Sequence, residues 1–114
     1  MLSRTVQGAP WVTNDLLTIK RCVLSGHYAF SAKAQIEMEA DRLTELDIVE
    51  SIAGAPAIQK RLRSTSPRRA ASREYLYIIQ GITLDGMPVY TKGKFIRRAG
   101  ELIYYFLVSA KRAL

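Results

Sequence analysis

The chain carries one cysteine, Cys22, and one histidine, His27, in 114 residues. A single cysteine excludes an intramolecular disulfide. Two soft ligands are too few for a four-ligand zinc site, so no metal is expected, and no cofactor motif is present. Cys22 reads as a small apolar filler on a helix. Long apolar runs are also missing. The longest, residues 102–108, is far too short to span a bilayer, and no membrane partner is expected. Scarce cysteine and the lack of a signal peptide fit a reducing, cytoplasmic setting. There is no Gly-rich phosphate loop, no Gly-x-Ser-x-Gly, no His-Glu-x-x-His and no paired-carboxylate signature.

Acidic residues are scarce in one half only. Residues 1–54 hold seven acidic and five basic groups, a balance of −2. Residues 55–114 hold twelve basic groups against Glu74, Asp85 and Glu101, a balance of +9. This asymmetry within a net charge of +7 points to an anionic partner. With 48% hydrophobic and 24% charged residues the composition is that of an ordinary globular domain, which excludes wholesale disorder.

The pattern along the chain predicts a flexible arm over residues 1–10 and a single α+β domain over 11–114. A first helix is expected after a cap at Thr13 or Asn14, with Leu16, Ile19, Val23 and Leu24 as its apolar stripe and Gly26 as its stop. A second helix follows Ser31 as N-cap, with Ile36, Ala40 and Leu43 on one side and Ala34 and Met38 adjacent. Glu37 and Asp41 are expected on its solvent face. Thr44 caps a third helix in a capping box closed by Asp47. Ile48, Val49, Ile52 and Ala53 form the apolar side of that helix, and Gly54 and Pro56 end it.

From residue 57 the period changes to that of strands. Residues 57–63 read as a short charged edge strand and 64–72 as a flexible basic loop. Residues 73–84, 87–98 and 101–109 read as three consecutive strands. The first two are joined through Asp85-Gly86 in a type I′ turn. Helices first and strands second argue for N-terminal helices packed on a curved antiparallel sheet of three to four strands.

Alternation along 88–98 puts Tyr90, Lys92 and Lys94 on one face and Val89, Thr91 and Phe95 on the other. A face with two lysines and a tyrosine should look outward. Whether Tyr75 and Tyr77, or Tyr104 or Tyr105, join it depends on register. Cations interleaved with rings suit RNA, where charge meets phosphate and rings stack on unpaired bases. His27, at a junction with no motif around it, reads as structural or merely exposed.

The run Ser31-Ala-Lys33-Ala34-Gln-Ile-Glu37-Met38-Glu-Ala-Asp41-Arg42-Leu43-Thr44-Glu-Leu-Asp47-Ile48 resembles the helical signature of the DUF4258 family. These small bacterial proteins are related to the RelE-like and BrnT-like toxins of toxin–antitoxin pairs. The resemblance spans roughly residues 27–110. Met38, Leu43, Thr44 and Ile48 match its structural positions. Lys33 stands where the family histidine is expected, Glu37 at the first arginine and Asp41 near the second.

The resemblance implies a RelE-like architecture and a toxin-like, RNA-binding, metal-independent endoribonuclease whose acidic antitoxin covers the basic sheet. On that reading the catalytic candidates are Lys92, Lys94 and Arg97, stabilising phosphorane-like charge. The nucleic-acid-binding candidates are Arg68, Arg69, Arg73, Tyr90, Lys92, Lys94 and Arg98. The alternative is a non-catalytic module that docks nucleic acid or an acidic protein.

Overall fold

The computed structural model describes residues 10–63, 74–98, 100 and 102–114. Helix α1 spans Pro10–Leu24, strand β1 Tyr28–Phe30, helix α2 Ala32–Asp41 and helix α3 Glu45–Ala53. Strands β2 (Lys60–Arg63), β3 (Tyr75–Ile82), β4 (Pro88–Arg98) and β5 (Leu102–Arg112) follow. The architecture is α+β. The sheet has five strands rather than three or four, in the order β1-β5-β4-β3-β2. It is mixed rather than antiparallel, because β1 pairs with β5 in parallel, Tyr28 opposite Tyr105 and Phe30 opposite Leu107. No described helix is long and apolar enough to cross a membrane.

Local chemistry sets the helix starts. The Ser31 hydroxyl accepts from the Ala34 amide, and Thr44 and Asp47 form the reciprocal capping box. Helix α1 instead begins at Pro10, ahead of Thr13 and Asn14. Proline is favoured at the first helical position because its missing N–H would have had no partner there. The hairpin after β3 also differs from the type I′ expectation. The Thr83 amide donates to the Met87 carbonyl and the Gly86 amide to that of Thr83. Gly86 has φ +87° and Asp85 is not in the left-handed region, so the loop has three residues and only one needs positive φ.

Helices α1 and α3 cover one face of the sheet. Ile19, Cys22 and Val23 from α1 and Ile48 and Ile52 from α3 are buried against Tyr77, Ile79, Val89, Tyr105 and Leu107. Leu24, assigned to the stripe of α1, is 66% exposed, and Ile36 of α2 is 67% exposed. In α2 the inward residues are Ala34 and Met38, because this helix packs beside the edge of the sheet and not beneath its middle.

Glu37 and Asp41 do not line a solvent face. Past the end of β1, helix α2 runs along the outer edge of β5. There Glu37 accepts from the Ala110 amide at 3.1 Å and the Ser109 hydroxyl at 2.7 Å. Asp41 accepts from the Arg112 amide at 2.8 Å. Carboxylates four apart on a helix rise by about 6 Å. Amides two apart on a strand rise by nearly 7 Å, so the two rows match. The Ser31 hydroxyl donates to the Val108 carbonyl at the junction. An edge that would otherwise invite another strand is thus closed.

Candidate nucleic-acid interface on the open sheet face

Among the described residues, no helix packs on the face of the sheet away from α1 and α3. Strand alternation and register decide which side chains it presents. Tyr77 pairs with Gly93 and Ile79 with Thr91 on the helix side, so Ile78 with Lys92 and Gln80 with Tyr90 face the open side. Ile96 opposite Tyr104 and Lys94 opposite Phe106 do the same between β4 and β5. Val108 is an extra residue in β5, since Lys92 pairs with Ser109 and Gly93 with Leu107. This bulge keeps Lys111 opposite Tyr90 on the same open face.

Three cations lie against three rings along the β4–β5 hairpin. Lys111 Nζ is 5.4 Å from the Tyr90 ring centre, Lys94 Nζ is 6.0 Å from that of Phe106, and Arg98 Cζ is 5.5 Å from that of Tyr104. Each is a cation–π distance. Tyr90, Tyr104 and Phe106 are half-buried, so part of each ring meets solvent. Tyr104 and Phe106 are two apart on one strand, about 7 Å along it. Beside Tyr90 and Lys111 lies a shallow cleft of about 380 Å³, also lined by Gln80 and Arg112.

The site residues named from sequence separate into groups. Tyr90, Lys92, Lys94 and Arg98 come together on the open face. Arg97 alternates to the opposite side, opposite Ile103, and is not brought near Lys92 or Lys94. Lys94 is paired with Glu74 at 3.3 Å, and each of these side chains is only 16% exposed. A cation held in this way has less charge to offer a ligand than Lys92, whose ammonium makes no ion pair among the described residues. Arg68, Arg69 and Arg73 lie outside the described residues. Tyr75, Tyr77 and Tyr105 face the helices.

Sequence reasoning missed Phe106 and left Tyr104 undecided. Their signal is the alternation of β5, but the bulge at Val108 puts Tyr104 and Lys111, an odd number of residues apart, on the same face.

The acidic residues of the first half are largely committed to internal bonds. Asp15 accepts from the Tyr77 hydroxyl at 2.7 Å and pairs with Arg61 at 3.7 Å. Burial and the neighbouring Asp15 push the Tyr77 hydroxyl well above the ordinary tyrosine range. Glu45 accepts from the Tyr28 hydroxyl and Glu50 from the Leu84 amide, while Asp47 closes its capping box. Burial would raise the Glu37 carboxyl. The Ser109 hydroxyl, the Ala110 amide and Lys33 outweigh it and hold the group below the usual carboxylate range. Lys60, Lys92, Arg98 and Lys111 have no carboxylate partner among the described residues. Their charge points outward while that of the acids is absorbed within the fold.

Among the described residues no group of three His, Cys, Asp or Glu could hold a metal ion. Comparison of the chain with protein-family models, with curated proteins and with solved structures returns no match.

Proposed function

We propose that the chain binds single-stranded RNA on the open face of its sheet. The observation that carries this reading is the row of Tyr90, Tyr104 and Phe106, each with a cation against its ring, on a face that no described helix covers. Rings two residues apart on a strand can each stack one unpaired base, while Lys92, Arg98 and Lys111 meet the phosphates. A duplex keeps its bases stacked inside and cannot use the rings. The resemblance to DUF4258 proteins extends this to a toxin-like endoribonuclease of RelE-like architecture in the cytoplasm, held inactive by an acidic antitoxin on the same face.

A second reading, a non-catalytic binding module, is favoured by one observation. Lys94, a catalytic candidate, is neutralised by Glu74, and Arg97 points to the other side. Both readings require the open face to bind.

The test is titration of a labelled single-stranded RNA against wild type and the Tyr104→Ala/Phe106→Ala double variant. Stacking is worth about 1–3 kcal/mol per base, so the double variant should bind at least tenfold more weakly. Duplex DNA should bind less tightly than the single strand. Equal affinity of wild type and variant, or no binding by wild type, would sink the proposal.

A further inference from the structure

We infer that the His27 end of the open face is a phosphodiester-cleaving centre, with His27 as general base and Arg98 as the group that stabilises charge on the phosphate. The inference rests on the RNA-binding reading above.

One proton sets the state of the His27 ring. Ser25 Oγ lies 2.7 Å from the Arg21 carbonyl and 3.2 Å from that of Cys22, and both can only accept. Its single hydrogen is therefore committed to the end of helix α1. Towards His27 Nδ1, 3.1 Å away, the hydroxyl offers a lone pair. In the neutral ring Nδ1 then carries the hydrogen, which leaves Nε2 bare. A histidine whose one nitrogen is held in this way has a fixed tautomer and orientation, and its other nitrogen is the basic one. The backbone is held on both sides: the His27 amide donates to the Cys22 carbonyl at 2.8 Å, and its carbonyl accepts from the Tyr105 amide at 2.9 Å.

Geometry places this base beside the proposed RNA. The His27 ring is 5.2 Å from that of Tyr104, and Arg98 lies 5.5 Å from the same ring. His27 Nε2 makes no hydrogen bond, and Arg98 no ion pair, among the described residues. A base stacked on Tyr104 therefore has a basic nitrogen and an unpaired guanidinium at its border. Nothing in a purely structural role requires the bare nitrogen, the unpaired guanidinium and the ring to share one solvent-facing edge.

The chemistry balances without any further reagent than water. Nε2 takes the proton of the 2′-hydroxyl, and the 2′-oxygen forms a bond to the adjacent phosphorus as the bond to the 5′-oxygen breaks. Arg98 offsets the charge that gathers on the non-bridging oxygens. The departing 5′-oxygen takes a proton from water, and the resulting hydroxide removes the proton from His27. The products are a 2′,3′-cyclic phosphate and a 5′-hydroxyl end.

The test separates cleavage from binding. A single-stranded RNA reports cutting and end chemistry, and its 2′-O-methyl counterpart, which cannot react, reports affinity. Wild type should cut the RNA to cyclic-phosphate ends and bind the methylated strand intact. His27→Gln should slow cutting by at least 100-fold while leaving affinity for the methylated strand within about threefold. Arg98→Ala should also slow it, with partial rescue by Arg98→Lys. Arg98 is exposed, so this pair decides the matter even if His27→Gln fails to fold, provided that cutting at saturating RNA falls by more than affinity for the methylated strand does. Binding of the methylated strand with no cutting of the RNA, or full cutting by Arg98→Ala, overturns the cleavage centre and leaves the binding reading standing. No binding by wild type overturns both.

Discussion

The ring of Tyr105 fills the space where a side chain on Gly93 would stand. A Cβ at position 93 would lie 2.5 Å from Tyr105 Cζ and 2.6 Å from Cε2. The same ring packs edge-on against Phe95, which packs against Tyr77, so it cannot swing aside. Gly93→Ala should cost about 1–3 kcal/mol of stability or more by overpacking, read as a lower denaturation midpoint. An unchanged midpoint would mean the ring is not held over the glycine.

The Tyr105 hydroxyl is fully buried and has no hydrogen-bond partner among the described residues. Burial, with Tyr77 and Cys22 adding to it, pushes this hydroxyl far above the ordinary tyrosine range. A buried polar group without a partner is a cost to the folded state. Tyr105→Phe should therefore leave stability unchanged or raise it by about 1 kcal/mol in chemical denaturation. A loss above this would reveal a partner for the hydroxyl.

Ile48 and Ile52 are completely buried where α3 meets the sheet. Replacing either with alanine should cost about 2–5 kcal/mol, measured by thermal or urea melts. Loss-free melts would detach α3 from the core.

Stability should depend on acid through Glu37. Its carboxyl is held below the ordinary value near 4.5 in the folded state. The folded state thus binds its proton less readily than the unfolded chain does. The contribution is complete above the ordinary value and fades as pH falls through the lowered one. Glu37→Gln should be less stable than wild type near pH 7. The gap between the two should narrow below pH about 4. A gap that stays constant between pH 7 and pH 3 would remove Glu37 as the cause.

The cations of the open face should differ in how they affect binding. Replacing Lys92 and Arg98 together with alanine should lower the slope of log affinity against log salt by about 1–2, because each neutralised phosphate releases condensed counterion. Lys94→Ala should change the slope less, since Glu74 already neutralises that lysine. Equal slopes for wild type and the Lys92/Arg98 variant would place the phosphates elsewhere.

What the sequence disclosed was local. Ser31 and the Thr44–Asp47 pair act on amides three residues away, and the alternation of Tyr90, Lys92 and Lys94 needs only the strand they sit on. What it hid was non-local. Three residues, Tyr28–Phe30, have no strand pattern of their own and pair only because β5 lies beside them. Glu37 and Asp41 look like any solvated helical pair until the amides of Ala110 and Arg112 are placed against them. His27 carries no motif, since its partners Ser25 and Tyr104 are a neighbour and a residue from the last strand.

The parallel pairing of β1 has a consequence for how the chain is made. Tyr28 finds its partner at Tyr105, 77 positions later. A ribosome making about 5–20 residues per second must therefore work for several seconds before that partner exists. Until then the edge of β1 has no strand to pair with, and the apolar side of α1 lacks the part of its cover that β5 supplies. The nascent chain is most prone to aggregate in that interval, and the docking of β1 on β5 should be among the last steps of folding.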